Sequence, residues 1–151
     1  MQIQLEKFMN ISIDVVEIDK DPLAMKMDVK VICQEGNAQV TYTTSTWSGC
    51  YHWDGFVSGL KNLPVQGSEF CSVRGDFFLK VEREWGRKFF SCGFRSQEPG
   101  PMSSWFCAFR GEVSNECYAN IIKKFSEVSK QWAEKAVAEA DLAGMKVKGE
   151  A

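Results

Sequence analysis

The chain has 151 residues, of which 44% are hydrophobic and 25% charged. That balance lets a single domain bury about two-thirds of its unfolded surface and excludes disorder as the default state. A net charge of −2 argues against a nucleic-acid binder, whose footprint carries a basic excess. No basic segment followed by an apolar run opens the chain, and no apolar stretch has bilayer length, so no membrane association is expected and a cytoplasmic location is.

Taken in order, Ile3 and Leu5, with Lys7, alternate with Gln4 and Glu6 as a short first strand. Ile11, Ile13 and Val15 share one face of a second, and Asp19-Lys20-Asp21-Pro22 breaks it with turn chemistry. Met25, Met27, Val29, Val31 and Cys33 alternate with Lys26, Asp28 and Lys30 in the cleanest period-two run of the sequence. Glu35-Gly36-Asn37 reads as a hairpin turn, with Ala38, Val40, Tyr42 and Thr44 returning antiparallel. After Ser48-Gly49 the period changes. Phe56, Leu60 and Leu63 stand at helical spacing, with Asp54 as the expected N-cap and Pro64 as the stop. Gly55 and Gly59 weaken this helix by about 1 kcal/mol each relative to Ala.

From Glu69 to Gly111 the chain gathers eight of its eleven Phe and all five of its Arg. Four strands are expected: Phe70–Val73; Phe77, Leu79 and Val81; Phe90, Cys92 and Phe94; and Trp105, Cys107 and Phe109. Their reversals fall at Arg74-Gly75-Asp76, at Trp85-Gly86, and at the loop tip Glu98-Pro99-Gly100-Pro101. Phe78, Phe89 and Phe106 fall on the opposite face, where a sheet with one solvated side carries polar residues. That face calls for a cover, from its own chain, a ligand pocket or a partner. Ser114 is an apt N-cap for a closing amphipathic helix through Tyr118, Ile121, Ile122, Phe125, Val128 and Trp132, fading toward a C-cap at Gly144. The helix is long for a chain of this size, so its last turns should overhang, fray or pack on a second copy, which makes a homodimer one expectation. The domain is taken as residues 1–144, with 145–151 a disordered tail.

Nothing in this pattern specifies a reaction, so a non-enzymatic protein is expected, with no cofactor and no metal. His52 is the one histidine. Cys50 lies two residues before it, too little for a nucleophile pair or for a zinc site with recognisable spacing. The six cysteines lack close paired spacing and read as free thiols, those in strands as small buried hydrophobes. Charge is more informative. From Met1 to Leu60 eight acids stand against four lysines, whereas from Lys61 to Gly111 eight bases outnumber five acids. The acidic run Asp14, Glu17, Asp19 and Asp21 reads either as a solvated edge or as a surface steering a basic partner. Trp47, Tyr51 and Trp53 bracket a glycine-containing loop, either as interface hot spots or as the plug between helix and sheet.

Three places in the order of elements resemble the small bacterial immunity proteins of the WapI type. These are the strand pair ending in Val40-Thr41-Tyr42 with the helix Trp53-Asp54-Gly55-Phe56-Val57-Ser58-Gly59-Leu60 after it; the hairpin from Phe77 to Arg87; and the closing Ile121-Ile122-Lys123-Lys124-Phe125. The resemblance implies a protein that neutralises a toxin domain by direct binding and has no catalytic residues. The strand after Arg87 is richer in aromatics than that pattern, and the closing helix is longer. The alternative is a small-ligand-binding or accessory protein carried on a mobile element such as an integron cassette. The fold expected under either reading is α+β: an antiparallel sheet of seven to eight strands, bent or split into two layers, with a short helix between strands and a long C-terminal helix packed on the sheet.

Overall fold

A computed structural model describes residues 1–5, 8–64, 66–95 and 106–149. The fold is α+β, and in place of one sheet of seven to eight strands, bent or split into two layers, the described residues hold two antiparallel meanders of four strands each. The first holds β1 (Gln2–Leu5), β2 (Met9–Lys20), β3 (Leu23–Glu35) and β4 (Ala38–Gly49) in sequential order. Helix α1 (Cys50–Lys61) leads to the second, built of β5 (Ser68–Cys71), β6 (Phe77–Glu84), β7 (Arg87–Arg95) and β8 (Phe106–Val113). Helix α2 (Asn115–Gly149) closes the chain.

The division follows from patterning. Each meander has one continuous apolar face, and each buries that face against another layer. In the first sheet the buried face is Ile11, Ile13 and Val15 of β2 with Met25, Met27, Val29 and Val31 of β3. A bulge at Val16 shifts the register between Val15 and Glu17. The extra residue returns Ile18 to the core, 6% exposed, and leaves Val16 outside. In the second sheet the buried face is Phe70, Phe77, Leu79, Val81, Phe90, Cys92 and Phe94, and all these residues belong to one continuous core.

Strand β4 joins the layers. Val73, in the turn after β5, donates its N–H to the Trp47 carbonyl at 2.9 Å. Thr46 Oγ1 donates to Asp76 Oδ1 at 2.8 Å, and Ser72 Oγ donates to the same oxygen. Further along, the Tyr42 ring lies on Phe94, with centroids 3.7 Å apart.

The helices pack on each other, and α2 also lies along β1 and β2. Helix α1 buries Cys50, Trp53, Phe56, Val57 and Leu60, one stripe at helical spacing. Helix α2 buries Tyr118, Ile121, Phe125 and Val128. Ser114 caps α2 as expected, its Oγ accepting from the Cys117 N–H at 3.1 Å. The Tyr118 hydroxyl donates to the Leu60 carbonyl, tying the end of α1 to the start of α2.

Several boundaries differ from the sequence reading. Helix α1 begins at Cys50, with Gly49 at the N-cap and no side-chain cap. Asp54 is therefore inside the helix, where its Oδ1 accepts from Ser129 Oγ at 2.6 Å and Trp132 Nε1 at 3.2 Å. A carboxylate that bridges two helices is held by those donors rather than by free N–H groups of its own first turn. The helix ends at Lys61, with Asn62 at the C-cap, ahead of Pro64. Strand β5 ends at Cys71, which is exposed, and Val73 is 69% exposed in the turn. Helix α2 continues past Gly144 to Gly149, since a single interior glycine costs only about 1 kcal/mol. Lys7, the tip from Glu98 to Pro101, Trp105 and residues 150–151 lie outside the described residues.

Candidate functional site

The acidic residues come together on the hairpin of β2 and β3. Ladder register places Asp14 directly opposite Asp28, both exposed on the outer face of the first sheet. Like charges at directly opposed positions destabilise a sheet. The pair borders a shallow depression of about 470 Å³ with Ser12, Lys30, Thr43 and Ser45 on its walls. The Met1 ammonium lies 2.6 Å from Asp14 Oδ1. Glu17 reaches Lys26 at 3.7 Å. Asp19 Oδ1 accepts from the Asp21 N–H at 3.1 Å, within the turn. All four acids of the expected run are exposed, and Asp28 joins them. Sequence reading missed Asp28 because only the register brings it to Asp14.

The aromatic trio does not act together. Tyr51 is 72% exposed, Trp47 is half-buried, and Trp53 is fully buried. On a helix, residues two apart point to different sides, so Tyr51 and Trp53 separate once α1 starts at Cys50. Trp53 is the plug between helices and sheet. Its ring meets Phe70, Phe125 and Phe56 edge-on at 5.0, 5.3 and 5.8 Å, and its Nε1 donates to the Phe125 carbonyl at 3.2 Å. As a partner-binding residue Trp53 is therefore corrected: its surface is already occupied.

Phe78, Phe89 and Phe106 do lie on the outer face of the second sheet, and their own chain covers part of them. The Arg110 guanidinium stands over Phe89 at 4.0 Å from the ring centre, and it also reaches Glu84 at 2.6 Å and Glu82 at 3.8 Å. Phe78 stacks on Phe106 with centroids 5.9 Å apart and planes 5° from parallel, and Arg95 lies over Phe106 at 5.9 Å. Gly93 sits beneath this pair, where a Cβ would overlap the Phe78 ring. Ladder register gives the face its layout: Cys71, Phe78, Gly93 and Ala108 form one uncharged row, and Glu69, Lys80, Ser91 and Arg110 form the next. Two of the five arginines, Arg95 and Arg110, thus lie over this face. Phe106 nonetheless remains 58% exposed.

One exposed aromatic carries a signal the sequence reading passed over. Trp85, at the tip of the hairpin between β6 and β7, is 99% exposed and has φ of 50°, followed by Gly86 at 79°. Both central residues of this two-residue turn are left-handed, the geometry that matches strand twist and favours Asn or Asp before Gly. A tryptophan there is held in a strained conformation with no packing return from its own chain, a combination that accompanies functional positions.

Cys50 and His52 do not form a pair: the thiol is fully buried, and the imidazole is exposed on the other side of α1. Burial pushes the thiols of Cys33 and Cys50 up to about 11, with added repulsion from Cys107 and Asp54 respectively. Burial also raises Cys92 well above its ordinary value. These thiols stay protonated when folded but ionise near 9.0 when unfolded. Their contribution to stability is therefore complete below pH 9 and is lost as pH rises toward about 11. Urea midpoints across that interval should fall for the natural chain, and fall less steeply once Cys33 and Cys50 are replaced by Val. Among the described residues, no group of His, Cys, Asp and Glu side chains has the geometry of a metal site, and no helix is long and apolar enough to cross a membrane.

No protein-family model matches the chain, and no curated protein matches it.

Proposed function

We propose that this chain is a non-enzymatic binding protein, most concretely one of immunity type that neutralises a basic toxin domain by direct contact. The observation that carries the reading is the opposed pair Asp14 and Asp28 on an exposed sheet face. Local rules of sheet stability disfavour it, and places where a sequence breaks a local rule without a packing gain are where function is sought. Glu17, Asp19 and Asp21 lie nearby in the same hairpin, so five acids outnumber Lys20, Lys26, Lys30 and the Met1 ammonium by one, a small negative excess carried on a four-stranded sheet. Such an excess speeds encounter with a positive partner and rejects acidic ones.

The test is co-purification with the product of the neighbouring gene, together with growth of cells that express it. Binding and protection are expected from the natural chain, and both should weaken when Asp14 and Asp28 become Lys. Absence of binding and of protection overturns the proposal.

A cleft of about 620 Å³ where Phe8 and Val40 of the first layer approach Phe109 of the second favours the alternative reading, a small-ligand-binding accessory protein. An apolar ligand that raises the melting temperature would support that reading.

A further inference from the structure

The two sheets end in four edge strands, and three of them are protected. β1 is four residues long and lies against α2; β5 is four residues long, carries Glu69 and lies against α1. β8 carries Arg110 and Glu112. Short length, cover and charge are the usual devices by which proteins keep edges from pairing.

Among the described residues the fourth edge is covered only near its end. β4 is twelve residues long, contains no charged residue and no proline, and pairs with β3 from Ala24 opposite Gly49 to Glu35 opposite Ala38 without a bulge. Near its end the Trp47 carbonyl is taken by Val73. The remaining stretch, Ala38 to Ser45, presents exposed Gln39, Thr41, Thr43 and Ser45.

We infer that this edge pairs antiparallel with the same edge of a second copy, joining the two first sheets into one across a two-fold axis. Composition selects this occupant over a foreign strand. Around a two-fold axis a strand meets itself, so any charge near the axis would face a like charge. An uncharged strand meets that requirement, whereas it offers no charge by which to select a foreign partner. With the axis at Thr41, Gln39 lies opposite Thr43 of the second copy, and Val40 opposite its Tyr42. An aromatic against a β-branched residue is a favourable cross-strand pair. The same docking covers Val40, 49% exposed at the mouth of the cleft beside Phe109.

The experiment is sedimentation velocity of the full chain over a wide concentration range, with amide hydrogen exchange read along β4. A dimer that dissociates on dilution is expected, with protection of residues 38–45 following the dimer fraction. The Thr41→Lys, Thr43→Lys double variant should be monomeric with an unchanged circular dichroism spectrum, while Phe106→Lys should leave the dimer intact. A chain monomeric at every concentration overturns the inference. So does a dimer that survives both lysines, or one whose formation leaves exchange in β4 unchanged. Should the double variant fail to fold, exchange of the natural chain on dilution decides the matter alone.

Discussion

Trp53→Ala is expected to cost about 4 kcal/mol of folding stability, the size typical of removing a large buried aromatic. The indole is fully buried and fills the space between α1, Phe70 of β5 and Phe125 of α2, so its loss leaves a cavity where three elements meet. Its Nε1 bond to the Phe125 carbonyl is lost as well. Against a total of about 5–15 kcal/mol for an ordinary domain, this is enough to populate unfolded chains at body temperature. Urea denaturation would show the drop as a lower midpoint. Tyr51→Ala, two residues earlier and 72% exposed, should stay within about 0.5 kcal/mol of the natural chain. Equal effects of the two would contradict the placement of Trp53 in the core.

Asp76→Ala is expected to cost about 3 kcal/mol, because it strips the acceptor from two buried hydroxyls. Thr46 is 1% exposed and Ser72 4% exposed, and both donate to the same Asp76 oxygen. Ser72 Oγ in turn accepts the Phe77 N–H at 3.1 Å, and the Asp76 carbonyl accepts the Arg95 N–H at 2.9 Å. This corner therefore fastens β4 to the start of β6 and the end of β7. Asp76→Asn keeps a carbonyl oxygen in the same place and should cost only about 1 kcal/mol. An Asn variant as unstable as the Ala variant would show that charge, rather than the acceptor position, holds the corner.

How much of this was legible in the sequence depends on the range of the interactions involved. The alternation from Met25 to Cys33 is local, and it gave the strand and its buried face directly. The amphipathic stripe of α2 and its cap at Ser114 are equally local. Helix α1 was half visible: Phe56 and Leu60 marked it, but the helix starts on Gly49 without a side-chain cap, so its first turn from Cys50 to His52 read as loop. Trp53 was then grouped with Trp47 and Tyr51 by closeness in sequence, which a helix undoes. Features that depend on register were out of reach. The bulge at Val16 decides that Ile18 faces inward, and β2 to β3 pairing decides that Asp14 meets Asp28. Cross-strand register likewise sets Arg110 over Phe89 and Phe78 over Gly93. The question of what covers the outer aromatic face has a mixed answer: arginine planes and a stacked pair cover part of it, and Phe106 stays open.

The proposal that the acidic hairpin recognises a basic protein is tested most directly by calorimetric titration of the chain with the purified product of the adjacent gene at low and high salt. Saturable one-site binding that weakens with salt, and weakens further in the Asp14→Lys, Asp28→Lys variant, is the expected result. Absence of binding at low salt, or binding unaffected by reversal of those two charges, would contradict it.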